Sequence, residues 1–254
     1  MLVDSHAHLE DEKYDLDREK VIDECRNELT FLINVGSNIK TSIDSIELAK
    51  KYEFIYAAVG IHPHDAQNEF ENLLDIEKLG KENKVVAIGE IGLDYFYDEP
   101  LKEFQKQIFI NQINIAKKLD LPVIIHDRDA HKDVFDILKK EWTNNLRGVF
   151  HSYSGSAEMI PQCMELNFYI SLGGPVTFKN AKKTVEVAKK VPIDRLLIET
   201  DSPYLTPEPY RGKRNSPVNV KFVAQKIAEL RNMRYEEVCN ITGENTARLF
   251  GIKL

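Results

Sequence analysis

Cysteine is scarce. Cys25, Cys163 and Cys239 are odd in number, far apart and nowhere in Cys-x-x-Cys spacing. That excludes a disulfide framework and leaves small apolar residues, with Cys25 and Cys239 falling on the apolar faces of expected helices. Long hydrophobic runs are missing too, since no stretch approaches the roughly 18 to 20 residues that span a bilayer. The chain does not open on a basic segment followed by an apolar one, so no secretory signal is read there and the expected location is cytoplasmic. Repeats, low-complexity tracts and linkers are absent, which favours one domain over residues 1–254. Positive charge is in deficit, with 34 Lys and Arg against 41 Asp and Glu, a net charge of −7. Such a surface has no general attraction for nucleic acid, so an anionic substrate must be drawn in by bound metal or a local basic loop. No membrane partner and no obligate protein partner is expected.

What the chain does have is a rhythm of short apolar runs alternating with longer segments of helical period. Strands are expected at Leu2–Ser5, Phe31–Val35, Ile55–Val59, Val85–Ile88, Pro122–Ile125, Gly148–Phe150, Phe168–Ser171 and Leu196–Ile198. Between them lie helical stripes such as Val21, Ile22, Cys25, Leu29, then Ile39, Ile43, Ile46, Ala49. The longest, from Leu101 to Leu119, has Phe104, Ile108, Ile115 and Leu119 on one side. Near-continuous apolar strands separated by helices describe a parallel sheet covered on both faces. Eight such units in 254 residues fit an α/β (β/α)8 TIM barrel better than an open sheet. A proline-bearing segment, Pro203–Pro217, reads as a long loop after the eighth strand, followed by helices at Val218–Arg231, Tyr235–Cys239 and Thr242–Phe250.

Polar residues mark the ends of those strands. His6 and His8, two apart, share one side of an extended segment. Gly60-Ile61-His62-Pro63-His64 follows strand three, Glu90 strand four, His126 strand five, His151 strand six and Asp201 strand eight. Six of the seven histidines therefore sit at or just past the C-terminal ends of strands, which in a barrel is the mouth where active sites are built. Four imidazoles (His6, His8, His126, His151) and two carboxylates (Glu90, Asp201) are too many for one tetrahedral ion. They suit two divalent ions, with Glu90 as the bridge and Asp201 both ligand and proton acceptor. His62 is read as a phosphate-contacting or supporting residue, His64 as either a structural loop residue or a functional one, and His131 as a surface residue. Glu199 is read either as an outer carboxylate orienting a ligand or as an ordinary acid at the mouth. The basic run Arg211-Gly212-Lys213-Arg214-Asn215 is the expected phosphate grip, with Arg214 as the residue that holds the phosphate. Tyr95, Phe96 and Tyr97 read either as a base-stacking surface or as loop packing.

These motifs resemble the TatD family of metal-dependent deoxyribonucleases, amidohydrolase-like metallohydrolases. The resemblance runs from Asp4-Ser5-His6-Ala7-His8-Leu9 through Gly89-Glu90-Ile91-Gly92-Leu93-Asp94-Tyr95 and Pro122-Val123-Ile124-Ile125-His126. It continues with Phe150-His151-Ser152, Glu199-Thr200-Asp201-Ser202-Pro203 and Arg214-Asn215-Ser216-Pro217, and no ligand position departs from the pattern. It implies a barrel whose divalent ions are held by His6, His8, Glu90, His126, His151 and Asp201, with Glu90 and Asp201 catalytic and His62 and Arg214 on the substrate. It further implies phosphodiester hydrolysis on DNA, as a 3′–5′ exonuclease acting on single-stranded 3′ ends. Imidazole-rich ligation favours Zn, Mn, Co or Fe over Mg, although Mg is commonly used with the family. The same chemistry would serve a metallo-esterase or amidase acting, for example, on an aminoacyl ester of tRNA, and an inherited barrel without activity is the non-enzymatic alternative.

Overall fold

Every strand in the computed structural model, which describes residues 1–97 and 102–254, runs parallel to its neighbours. The strands are β1 (Val3–Ala7), β2 (Phe31–Val35), β3 (Ile55–Val59), β4 (Val85–Asp94), β5 (Val123–Arg128), β6 (Gly148–Phe150), β7 (Phe168–Leu172) and β8 (Leu196–Ile198). They are hydrogen-bonded in the order β1 to β8. Closure between β8 and β1 comes from an Ala7–Ser202 bridge, with Asp201 N donating to His6 O at 2.9 Å and His8 N to Ser202 O at 2.8 Å. Beneath that seam, buried Asp4 accepts from Thr200 through both oxygens, N at 2.9 Å and Oγ1 at 2.5 Å. Burial raises the Asp4 carboxyl well above its ordinary range. This is a TIM barrel, and the strand ends converge on one mouth.

The helices are α1 (Arg18–Glu28), α2 (Ile39–Lys51), α3 (Leu73–Leu79), α4 (Lys102–Leu119), α5 (His131–Glu141), α6 (Ile160–Glu165), α7 (Lys182–Lys190), α8 (Val220–Arg231) and α9 (Tyr235–Phe250). Leu101, the expected start of α4, lies outside the described residues. Apolar residues inside the barrel, among them Ile33, Ala58, Ile124 and Leu197, are sealed at the N-terminal end by Leu249 and Phe250 of α9. The three cysteines are free and buried, as small apolar residues should be. No helix among the described residues is long and apolar enough to cross a membrane.

Several boundaries differ from expectation. β4 runs six residues past Ile88 and β5 three past Ile125, so Glu90 and His126 lie within strands rather than after them. Gly89, Gly92 and the polar His126-Asp127-Arg128 continue these strands rather than ending them. The last two expected helices are one, α9, within which the hydroxyls of Thr242 and Thr246 turn back to the carbonyls of Val238 and Thr242, at 2.8 Å each, and so are satisfied inside the helix. In α2 the inward face is carried by Ser42, Ser45, Ile46 and Ala49, while Ile43 is exposed. Ser45 Oγ is spent on Asn34 Nδ2 at 2.8 Å, which lets a polar helix face pack on the sheet.

Helix α4 also buries glutamines beside its apolar stripe, and they set the site. The Gln112 amide brackets the backbone of Ile61 (N to Oε1 2.8 Å, Nε2 to O 2.9 Å), fixing the strand end that carries His62. Gln105 does the same for Asp94, at 2.9 and 3.0 Å. A third buried amide, Asn215, ties down the Pro203–Pro217 loop by donating to Thr200 O (3.0 Å) and Tyr204 O (2.7 Å). Its Oδ1 accepts from Ser216 N at 2.9 Å. Replacing Asn215 with Ala strands these backbone groups, and the expected cost is about 2 kcal/mol. At this chain length that lowers the melting temperature by about 5 °C, readable by calorimetry. An unchanged melting temperature would show that the loop does not depend on this clasp.

Candidate metal centre

At the mouth the side chains arrange themselves around Glu90. The carboxylate is buried, and its two oxygens face different partners. Oε2 looks towards His6 Nε2 (3.4 Å) and His8 Nε2 (3.9 Å), while Oε1 meets His126 Nδ1 (2.6 Å), His151 Nε2 (2.7 Å) and, further off, His62 Nε2 (3.6 Å). Asp201 joins the first side, its Oδ1 being 3.7 Å from His6 Nε2 and 3.5 Å from His8 Nε2. Its backbone is left-handed (φ 56°), a conformation aspartate tolerates and which the Asp201 N to His6 O bond holds. Donor atoms within 4.8 Å of one another form three groups among the described residues: His6, His8, Glu90; His6, His151, Glu199; and His62, Glu90, His126.

Second partners decide which nitrogen each ring offers. His8 Nδ1 lies 2.7 Å from the Val35 carbonyl and must carry the proton, which turns the Nε2 lone pair to the centre. His151 Nδ1 faces Glu199 Oε1 at 3.3 Å, with the same result, and Glu199 also accepts from Ser152 N at 2.7 Å. His126 is reversed: Nε2 faces Asp94 Oδ2 at 3.1 Å, so Nδ1 points inward. These are the acceptor–imidazole arrangements that orient metal ligands. His62 is different, because its Nδ1 accepts from His64 N at 3.1 Å. Its proton is therefore on Nε2, making it a donor into the cavity rather than a lone pair. His6 Nδ1 is buried without a hydrogen-bond partner among the described residues.

Charge at the centre is unbalanced towards the anionic. Burial alone would raise the Glu90 carboxyl, but His151 and His62, with hydrogen bonds from His126 and His151, hold it well below its ordinary range. Asp201 is also lowered against its burial, chiefly by the His8 hydrogen bond. Burial works against protonated His8 and His151, yet Asp201 and Glu10 raise the first, and Glu90 and Glu199 the second, well above the usual histidine range. His62 and His6 go the other way, pushed down by burial. Buried carboxylates that draw protons onto neighbouring imidazoles are a donor set that divalent cations fit, since the cation replaces those protons.

The cavity here has a volume of about 450 Å3 and is lined by His8, His62, Glu90, His126, His151 and Asp201, together with Glu10, His64, Tyr97, Arg128 and Tyr204. Six sequence-marked residues are thus brought together, counting buried His6 behind them, with His62 beside. Arg214 is not brought there. Its guanidinium is forked onto Asp17 at 2.8 and 2.6 Å, donates to Lys13 O at 2.6 Å and lies 4.7 Å from the Tyr14 ring centre. Its neighbour Arg211 lies over Phe178. Glu199 stands behind His151, and His131 pairs with Asp127 at 2.7 Å away from the cluster. Two site residues escaped the sequence reading. Asp94, four positions after Glu90 on one strand face, joins His126 to His64 (2.9 Å). Glu10, two after His8, lies 3.5 Å from His8 Nδ1.

The whole chain has close relatives. Residues 3–251 match the family model described as TatD related DNase. The uncharacterized metal-dependent hydrolase YabD of Bacillus subtilis is 53% identical, over 99% of this chain and 100% of that one. YcfH of Escherichia coli K12, named in the same way, is 39% identical over 99% and 96%. The crystal structure of YJJV, a TatD homologue from Escherichia coli, superposes with a TM-score of 0.92 at 31% identity, covering 99% of this chain and 98% of that one. A TatD family hydrolase from Entamoeba histolytica does so with 0.87 at 25% identity, covering 99% and 98%. With donors gathered at a barrel mouth and similarity along its full length, the chain belongs to the TatD-related DNase family of metal-dependent hydrolases.

Proposed function

We propose that this protein hydrolyses phosphodiester bonds of DNA with two divalent ions, releasing nucleotides stepwise from single-stranded 3′ ends. The observation that carries the two-ion reading is the division at Glu90, whose two oxygens face separate histidine pairs. His6, His8 and Asp201 would hold one ion, His126 and His151 the other, and Glu90 would lie between them. When bound, such a pair supplies Lewis acidity towards phosphate oxygens and makes water acidic near neutrality. DNA as substrate rests on the family, whose model is described as DNase-related.

The protein's own groups divide the remaining work. Asp201, which lines the cavity with Oδ1 towards His6 and His8, takes the proton from the attacking water. His62, neutral and donating from Nε2, holds a non-bridging phosphate oxygen and favours the charge that builds there. Asp94, Glu199 and the Val35 carbonyl keep the ligand rings turned inward. Arg214 acts at one remove, by fixing the Lys13–Asp17 segment beside the mouth.

The deciding experiment gives metal-loaded protein a 3′-labelled single strand, with a chelated control. Stepwise loss of label that chelation abolishes is the expected result. Intact DNA despite confirmed metal occupancy would sink the nuclease reading, and cleavage of an aminoacyl ester instead would replace it. For the supporting carboxylates, Asp94→Asn and Glu199→Gln should each weaken metal affinity about 10- to 100-fold, read by competition with a chromophoric chelator. Unchanged affinity in both would mean that the rings hold their orientation unaided.

A further inference from the structure

Arg128 is the only lysine or arginine among the described residues lining the 450 Å3 cavity. It ends β5, two residues after His126, and opposes Asp94 across the strand pair. Its guanidinium makes no hydrogen bond or ion pair among the described residues, which sets it apart from the fully engaged Arg214. Two aromatic rings hold it in place: it lies 3.8 Å from the Phe96 ring centre and 5.5 Å from that of Tyr97. Both rings are about half exposed, and Tyr97 packs edge-on to His64 at 5.2 Å. A cation stacked on aromatic faces keeps its planar fork ready for a phosphate.

The other flank of Glu90 carries a matching feature. Tyr204 is 45% exposed, lines the same cavity and stands edge-on to His8, 6.4 Å between ring centres. Its hydroxyl donates to Asp11 at 2.7 Å, and Lys13 Nζ lies 3.9 Å from its ring centre. Tyr97 thus stands on the His64–His126 side of Glu90 and Tyr204 on the His8 side. The two tyrosines present half-exposed ring faces on opposite flanks of the mouth, and every nucleobase offers a face to stack.

We propose that these groups form a nucleotide clamp: Arg128 grips a backbone phosphate beside the scissile one, while Tyr97 and Tyr204 stack the bases on either side. This rests on the nucleic-acid reading above and deepens it to substrate form. Bases must be unpaired and splayed to reach both rings, so the clamp selects single strands over duplex ends.

The test follows KM and kcat on a single-stranded oligonucleotide, alongside quenching of 2-aminopurine at the 3′ end of a phosphorothioate analogue. Tyr204→Ala should raise KM about tenfold with kcat little changed and should lose the quenching, while Tyr204→Phe, which keeps the ring and loses only the Asp11 bond, should retain both. An oligonucleotide whose 3′-terminal residues lack bases should cost the unsubstituted protein a similar factor and cost Tyr204→Ala nothing more. Arg128→Gln should flatten the slope of log affinity against log salt by about 0.7, the share of one phosphate contact on a single strand. Cleavage with KM, quenching and salt slope unmoved by these variants would overturn the clamp alone. Absence of any chelator-sensitive cleavage by the unsubstituted protein would overturn the nucleic-acid reading, and the clamp with it.

Discussion

Glu90→Gln should lower kcat by about three orders of magnitude or more and, on the two-ion reading proposed above, reduce bound metal to one ion per chain or fewer. The change preserves shape and removes one charge, so the fold should survive, which far-UV circular dichroism will check. The size follows from position. Among the described residues Glu90 is the one carboxylate whose oxygens reach both histidine groups, within 3.4 to 3.9 Å on one side and 2.6 to 2.7 Å on the other. An amide offers a neutral oxygen to one group and an N–H to the other, and a donor cannot ligate a cation. Losing a shared anion removes several kcal/mol of charge stabilisation where charge develops, and about 4 kcal/mol is a thousandfold in rate. Metal content and rate must fall together. A variant with two ions still bound and a rate within tenfold of the parent would show that Glu90 does not bridge.

How much of this was legible beforehand depended on whether the information was local. His6 and His8 declared themselves because a strand's twofold period puts them on one side whatever surrounds them. The barrel was legible for a related reason: strands buried on both faces leave near-continuous apolar runs such as Phe31–Val35, broken only by Asn34. Glu90 and His126 were recognised as site residues yet placed beyond their strands, since glycines and charges look like breakers in a sequence. Within β4 the same glycines are what lets backbone approach backbone. Asp94 had a usable signal, four residues from Glu90, hidden by the early end assigned to β4. Arg214 shows the real limit. Its basic run suggested a phosphate grip, but the partner that occupies it, Asp17, lies 197 residues away in the chain. Among the described residues the cation left unpaired at the mouth is instead Arg128, which looked unremarkable because nothing local marks a guanidinium as unpaired.

Gly92→Ala should be among the most damaging single methyl additions in the protein. Gly92 lies inside β4 at φ 146°, a conformation that side chains rarely adopt, and it pairs with His126 of β5. A Cβ built there would lie 2.0 Å from the His126 carbonyl oxygen and 2.9 Å from its carbonyl carbon, both backbone atoms that no rotamer change can clear. The two strands must therefore part where they carry Glu90, Asp94, His126 and Arg128. Strain of this kind belongs with the largest single-residue effects, about 4 kcal/mol or more. At this chain length the melting temperature should fall by about 10 °C, with metal affinity and kcat falling alongside. Gly212→Ala supplies the control, because Gly212 also has positive φ (87°) but its added methyl would meet nothing within 4 Å. It should cost only the conformational preference, about 1 kcal/mol, and leave metal binding intact. If the two variants melt together, the backbone conformation alone sets the cost. If Gly92→Ala melts far lower and loses metal, the close β4–β5 approach is what holds the two halves of the ligand set in register.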